Sequence, residues 1–142
     1  MDIWQQTFSL DDLNAMSKNT LVEHLNIQYC AKTNHSLSAS MPVTSYTHQP
    51  FGMLHGGASV VLAETLASVC GNMCVDKKHY CVGIEINANH IKGKKQGVVI
   101  GTTEVIHLGK TTQIWQVDIK DEEQQLIATS RVTLLIKKMY TK

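Results

Sequence analysis

Residues 48–72 read HQPFGMLHGGASVVLAETLASVCGN, and one residue among them conflicts with its neighbours. From Gly56 to Val75 the only charged side chain is Glu64, set among Val60, Val61, Leu62, Ala63, Leu66, Ala67 and Val69. The run is long enough to raise a membrane span. Gly56, Gly57, Ser59, Glu64, Thr65, Ser68, Gly71 and Asn72 make it too polar for one. A helix buried in a globular core fits better, and Pro50 with Gly52 breaks the chain just before it.

Outward from this helix the period of the apolar residues changes. After Val75, YCVGIEINANHI alternates, with Val82, Ile84 and Ile86 on one side. GVVIGTTEVIHL, TTQIWQVDIKD and QLIATSRVTLLIKK are rich in Val, Ile and Thr, and KGKKQG, GK and EEQQ separate them. These predict four strands in a meander, the second gap being short enough for a hairpin. Before the helix, SLDDLNAMSKNTLVEHL predicts one or two short helices, with Ser9 as cap and Asp11 and Asp12 in the first turn. IQYCAKTNHSLSASMPVT predicts two strands. A helix apolar on most sides must be wrapped by a sheet to bury it, so an α+β domain across residues 1–142 is expected.

Composition narrows the function. The 142 residues carry a formal net charge of +1, with 18% charged and 43% hydrophobic residues. That is ordinary globular composition, and it supplies no basic field for nucleic acid, so no nucleic-acid partner is expected. The N-terminus, MDIWQQTFSLDDL, lacks the basic and apolar regions of a signal peptide. Cys30, Cys70, Cys74 and Cys81 have no CxxC spacing. Cys70 and Cys74, one helical turn apart in an apolar stretch, predict small buried thiols rather than a metal site, and the chain is placed in a reducing cytoplasm with no membrane partner expected.

An ionised carboxylate in apolar surroundings loses hydration worth several kcal/mol. A salt bridge to a strand lysine, or an exposed helix face, would explain Glu64 without function. Desolvated carboxylates are also how proteins make bases and nucleophiles. The HGG at the helix start adds the second half of an acyl-transfer site. Glycines admit a ligand to the backbone, and free N–H groups at a helix start are donors for an oxyanion. Gly56 and Glu64 stand eight residues apart. At about 1.5 Å per residue that is roughly 12 Å along one helix, too far for both to reach one carbonyl. A two-fold dimer is therefore predicted, Glu64 of one copy facing the Gly56 end of the other. Ser68 lies one turn beyond Glu64 on the same face, and Gln49 precedes the Pro50–Gly52 turn.

The set Gln49, His55-Gly56-Gly57, Glu64 and Ser68, with LHGGASVVLAET, GIEINANHIKG and LGKTTQIWQVDIKDE, resembles the glutamate-carrying hotdog-fold acyl-CoA thioesterases of the 4-hydroxybenzoyl-CoA and phenylacetate-pathway group. The resemblance covers nearly the whole chain. It implies a curved antiparallel sheet wrapped round the long helix, a dimer of dimers, and hydrolysis of a CoA thioester, with an aromatic acyl group expected and no cofactor. By resemblance Glu64 is the catalytic carboxylate and the Gly56 amide the oxyanion donor. Gln49 orients the thioester, His55 lies beside its carbonyl, and Ser68 positions water or substrate. Gly83, then His90, Ile91, Lys92 and Gly93, then His107, Leu108, Gly109, Lys110, Thr111 and Thr112, line the coenzyme A path. Met53, Phe51 and Val60 are candidates for the acyl pocket. Coenzyme A carries phosphates, and NHIKGKK (Asn89 to Lys95) and HLGKTT (His107 to Thr112) are the basic candidates for them, a solvated turn being the alternative for Lys94 and Lys95. Relatives often carry arginine where Lys92 and Lys110 stand, and lysine lacks the bidentate fork for phosphate. GKTT is not a nucleotide P-loop, because the first glycine of that motif would fall at Glu104.

Two rival readings remain. A hotdog hydratase or dehydratase pairs a histidine, here His48 or His55, with a carboxylate; the HGG turn and Gln49 favour the thioesterase. A non-catalytic acyl-CoA-binding protein on the same fold needs no Glu64.

Overall fold

A computed structural model describes residues 1–140. α1 (Leu10–Met16) starts where the sequence places it: Ser9 accepts from the Asp12 amide and Asp12 answers the Ser9 amide, a capping box. α2 is the single turn Leu21–His24. β1 (Gln28–Lys32) and β2 (Leu37–Val43) form the expected antiparallel pair. Then come α3 (Gly56–Met73), β3 (His79–His90), β4 (Gly97–Leu108), β5 (Thr112–Asp121) and β6 (Leu126–Lys138).

The strands make one six-stranded antiparallel sheet in the order β1-β2-β4-β5-β6-β3. The meander expected after α3 is real for β4, β5 and β6 but does not include β3. Both edges of β4 are occupied, by β2 and β5, so β3 pairs instead with the free side of β6. Residues 91–96 cross from one to the other. Six residues reach about 20 Å, and three strand spacings need only about 14 Å. β3 is thus an edge strand, long and unpaired on its outer side.

α3 lies across one face of the sheet, packed against β2, β3, β4, β5 and β6. Ala58, Leu62, Ala63, Leu66, Ala67, Cys70 and Gly71 are buried against Met41, Val99, Trp115, Val117 and Leu134. The seat is close because glycines sit in it. A Cβ on Gly101 of β4 would meet Leu66 Cδ1 at 2.8 Å, and one on Gly71 would collide with Leu134 Cδ1. Burial raises the Cys70 and Cys74 thiols to about 12 and Cys81 to about 11, which keeps them protonated and inert. Cys30, on β1, is exposed.

The sheet covers one face of α3 and stops at β3. Glu64 is exposed in the single chain because it leans over that edge. Three contacts fix the antiparallel run of α3 on β3: Gly56 under His90, Glu64 beside Gly83, and Asn72 on Cys81. Asn72 accepts from the Cys81 N–H at 2.9 Å and donates to its carbonyl at 3.3 Å.

Candidate active site

Four backbone amides begin α3, and three are taken. His55 Nδ1 caps the helix by accepting the Gly57 N–H at 2.8 Å. The amides of Ala58 and Ser59 donate to the His55 carbonyl at 3.0 and 3.3 Å. The Gly56 N–H makes no hydrogen bond among the described residues. It stands at the positive end of an 18-residue helix, where a developing oxyanion is stabilised. A neutral His55 ring whose Nδ1 accepts carries its proton on Nε2, so the exposed face of that ring is a donor. A dehydratase base at Nε2 would need the other tautomer, at the expense of this cap.

Gln49 sits at the opposite lip. Its backbone N–H donates to the Met53 carbonyl at 2.8 Å and its carbonyl accepts from Gly52, which adopts φ +79° to close the turn. The Gln49 Oε1 accepts from the Phe51 amide, leaving its N–H groups free to donate into the cleft. Gln49, Gly56, His90, Ile91, Lys92 and Gly93 line one cleft of about 340 Å³ together with Met53, Leu54, Ser59 and Ile127. A Cβ on Gly56 would lie 2.8 Å from His90 Nε2, so the imidazole roofs the helix start.

Other expected residues lie elsewhere in the single chain. Glu64 and Gly83 meet two helical turns away: a Cβ on Gly83 would be 3.0 Å from Glu64 Oε1. Ser68 is half-buried one turn further, its carbonyl accepting from Asn72. Residues 107–112 form the β4–β5 turn, where Gly109 N–H donates to the Thr112 carbonyl at 2.9 Å. That turn is at the other end of the sheet. Thr112 pairs with Leu135 while Ile119 pairs with Ala128, the partner of His90. Seven strand residues separate the two levels, about 23 Å at 3.3 Å each. No single chain brings residues 107–112 to residues 90–93. Of the acyl-pocket candidates, Met53 lines the cleft, Val60 is half-buried, and Phe51 is 87% exposed.

The lysines divide. Lys110 is exposed, and Lys92 donates to Gln125 Oε1. Lys94 is tied to Glu122 at 2.7 Å and to Asp121 at 3.6 Å. The Lys94 ammonium and the Val98 amide hold the Glu122 carboxyl down at about 2, and Asp121 is lowered by turn amides and then Lys94. Lys94 belongs to the basic NHIKGKK stretch, but its carboxylate partners and the Ser59 lining are not singled out by the sequence. The only signal was opposite charge on KGKK and DEEQQ, two turns with no visible reason to meet.

A match to the Thioesterase superfamily covers residues 51–128. The 1,4-dihydroxy-2-naphthoyl-CoA hydrolase of Escherichia coli is 46% identical over 134 residues, spanning 94% of this chain and 98% of that protein. Proofreading thioesterase EntH of Cronobacter turicensis is 45% identical over 134 residues, again spanning 94% and 98%. The crystal structure of thioesterase HI1161 from Haemophilus influenzae superposes with a TM-score of 0.96 at 42% identity, covering 98% of this chain and 97% of that one. Among the described residues no helix is long and apolar enough to cross a membrane.

Proposed function

Because the chain belongs to the Thioesterase superfamily, we propose that it is a cytoplasmic hydrolase of aromatic acyl-CoA thioesters, 1,4-dihydroxy-2-naphthoyl-CoA being the first candidate. Residues 1–142 act as one domain. The observation that carries this reading is the Gly56 N–H, the one open amide at the start of α3, facing the cleft beside the Gln49 carboxamide. A thioester carbonyl placed there accepts from Gly56, and Gln49 and His55 Nε2–H hold its orientation. The coenzyme A thiolate leaves without a strong general acid, so neither histidine need protonate it.

Glu64 supplies the attack from a second copy. The free outer edge of β3, flanked by Ile84 at 55% exposure, is suited to antiparallel pairing with itself about a two-fold axis. Antiparallel pairing sets the beginning of one β3 beside the end of the other. It carries Glu64 and residues 107–112 of one copy toward Gly56 and residues 90–93 of its partner, closing both gaps that a single chain leaves open. The same contact covers Glu64 and removes water from it. Two such dimers form a tetramer, which sedimentation measures directly.

Glu64 either adds to the carbonyl carbon, expelling the thiolate and leaving a mixed anhydride for water to cleave, or takes a proton from water that adds instead. A single turnover in oxygen-18 water separates the routes: label in Glu64 requires the anhydride. The function is tested by thiol release from aromatic, short-chain and medium-chain CoA thioesters beside a carrier-protein thioester. Glu64→Ala is expected to lower kcat by about 10² to 10⁴ with the fold intact. Near-normal turnover in that variant would refute the assignment.

A further inference from the structure

We propose that Lys94 is a positioning residue, whose ion pair with the β5–β6 turn holds the loop on which the Gln49–Gly56 segment is mounted. The inference rests on the thioesterase reading above and adds a residue to it. Residues 91–96 are the crossover from β3 to β4; the Ile91 and Lys92 amides hold its start by donating to the Ile127 carbonyl at 2.8 and 3.2 Å, Lys92 reaches Gln125, and the Lys94 side chain anchors its middle. Its ammonium donates to Glu122 Oε2 at 2.7 Å and lies 3.6 Å from Asp121 Oδ2. The other Asp121 oxygen accepts the Glu123 and Gln125 amides at 2.9 and 3.0 Å, so the receiving turn is itself fixed.

The backbone of the same loop faces the catalytic segment. The Lys94 carbonyl accepts the Leu54 amide at 2.7 Å, and the Lys95 carbonyl accepts His48 Nε2 at 2.8 Å. Leu54 is two residues before Gly56, and His48 is one before Gln49. Most other hydrogen bonds of this segment are made within its own turns. The direction of the open Gly56 amide therefore depends on two carbonyls in the middle of the loop, where the Lys94 side chain is the tether nearest to them. A basic residue beside a coenzyme A site invites the alternative that it binds phosphate. Two carboxylates already hold this ammonium, and both would repel a phosphate brought to it.

The test uses a CoA thioester that the wild-type enzyme turns over, together with the matching acyl-pantetheine, which has no phosphate. Lys94→Met is expected to lower kcat about tenfold on both substrates alike, the scale of a sub-ångström misplacement. Lys94→Arg should recover most of the loss. Glu122→Gln, which keeps an acceptor for the Val98 amide, should lose activity in the same sense but less, because Asp121 remains. The double variant should be no worse than Lys94→Met, since both remove one interaction. A rise in KM confined to the CoA substrate would overturn the proposal in favour of phosphate binding. Wild-type kcat in Lys94→Met would overturn it outright. If Lys94→Met does not fold, wild-type kcat in Glu122→Gln on both substrates does the same. Failure of the wild-type enzyme on every thioester refutes the proposed function instead, a result read before any variant is made.

Discussion

His55 serves its own helix before it serves a substrate. By accepting the Gly57 amide it removes the neighbouring donor from competition and leaves Gly56 as the one amide of the helix start without a partner among the described residues. Loss of a side-chain cap costs about 1 kcal/mol. His55→Ala should lower unfolding free energy by that much in urea titration, and His55→Asn, which can still cap, should not. Equal stability of the two variants would show that the cap bond carries no weight. The residues most legible in the sequence were those that broke a local pattern: Glu64 in an apolar run, and a glycine pair at a helix start. Lys94 stands out only as part of a basic stretch, and its ion pair is hidden because the partner is 28 positions away and both ends look like solvated turns. The sequence leaves open whether Glu64 is desolvated or on an exposed helix face, for a related reason. Apolar neighbours in sequence show that a helix is buried on one face, and say nothing of where the covering sheet ends.

At the scale of elements, strand identity and order along the chain followed from period and turn chemistry, whereas the place of β3 did not. Sequence proximity favours pairing neighbours, and only the saturation of both β4 edges sends β3 to β6. The closeness of helix to sheet is likewise a property of packing. Gly71 lies in the last turn of α3, where alanine is ordinarily the better helix former by up to about 1 kcal/mol. Here the added methyl would meet Gln113 Oε1 at 3.0 Å and collide with Leu134, which is fully buried and cannot withdraw. Overpacking of this kind costs about 1 to 3 kcal/mol, so the clash outweighs the propensity. Gly71→Ala should shift the urea midpoint down, corresponding to about 1 kcal/mol. An upward shift would mean that the seat of α3 has room to spare.

At the scale of the whole molecule, the single chain separates what the reaction needs. The open Gly56 amide, proposed as the oxyanion donor, and Gln49 are at one end of α3, and Glu64 is about 12 Å along it. A two-fold dimer that shares its sites makes a prediction that a self-contained chain cannot. Glu64→Ala and Gln49→Ala homodimers should each be nearly inactive, because every site lacks one group. In a heterodimer of the two, one site receives Glu64 from the Gln49→Ala chain and Gln49 from the Glu64→Ala chain, and is whole. The other site has lost both. Random co-assembly at equal amounts makes half the dimers mixed and half of their sites intact, so about one quarter of wild-type turnover should return. Co-expression of the two variants and thiol-release assay of the unfractionated mixture measures it, and tandem purification on two different affinity tags, which keeps only mixed dimers, should raise it to about one half. If the purified mixed dimer is as inactive as its parents, Glu64 and Gln49 act within one chain, and the shared-site geometry is wrong even if each residue is catalytic.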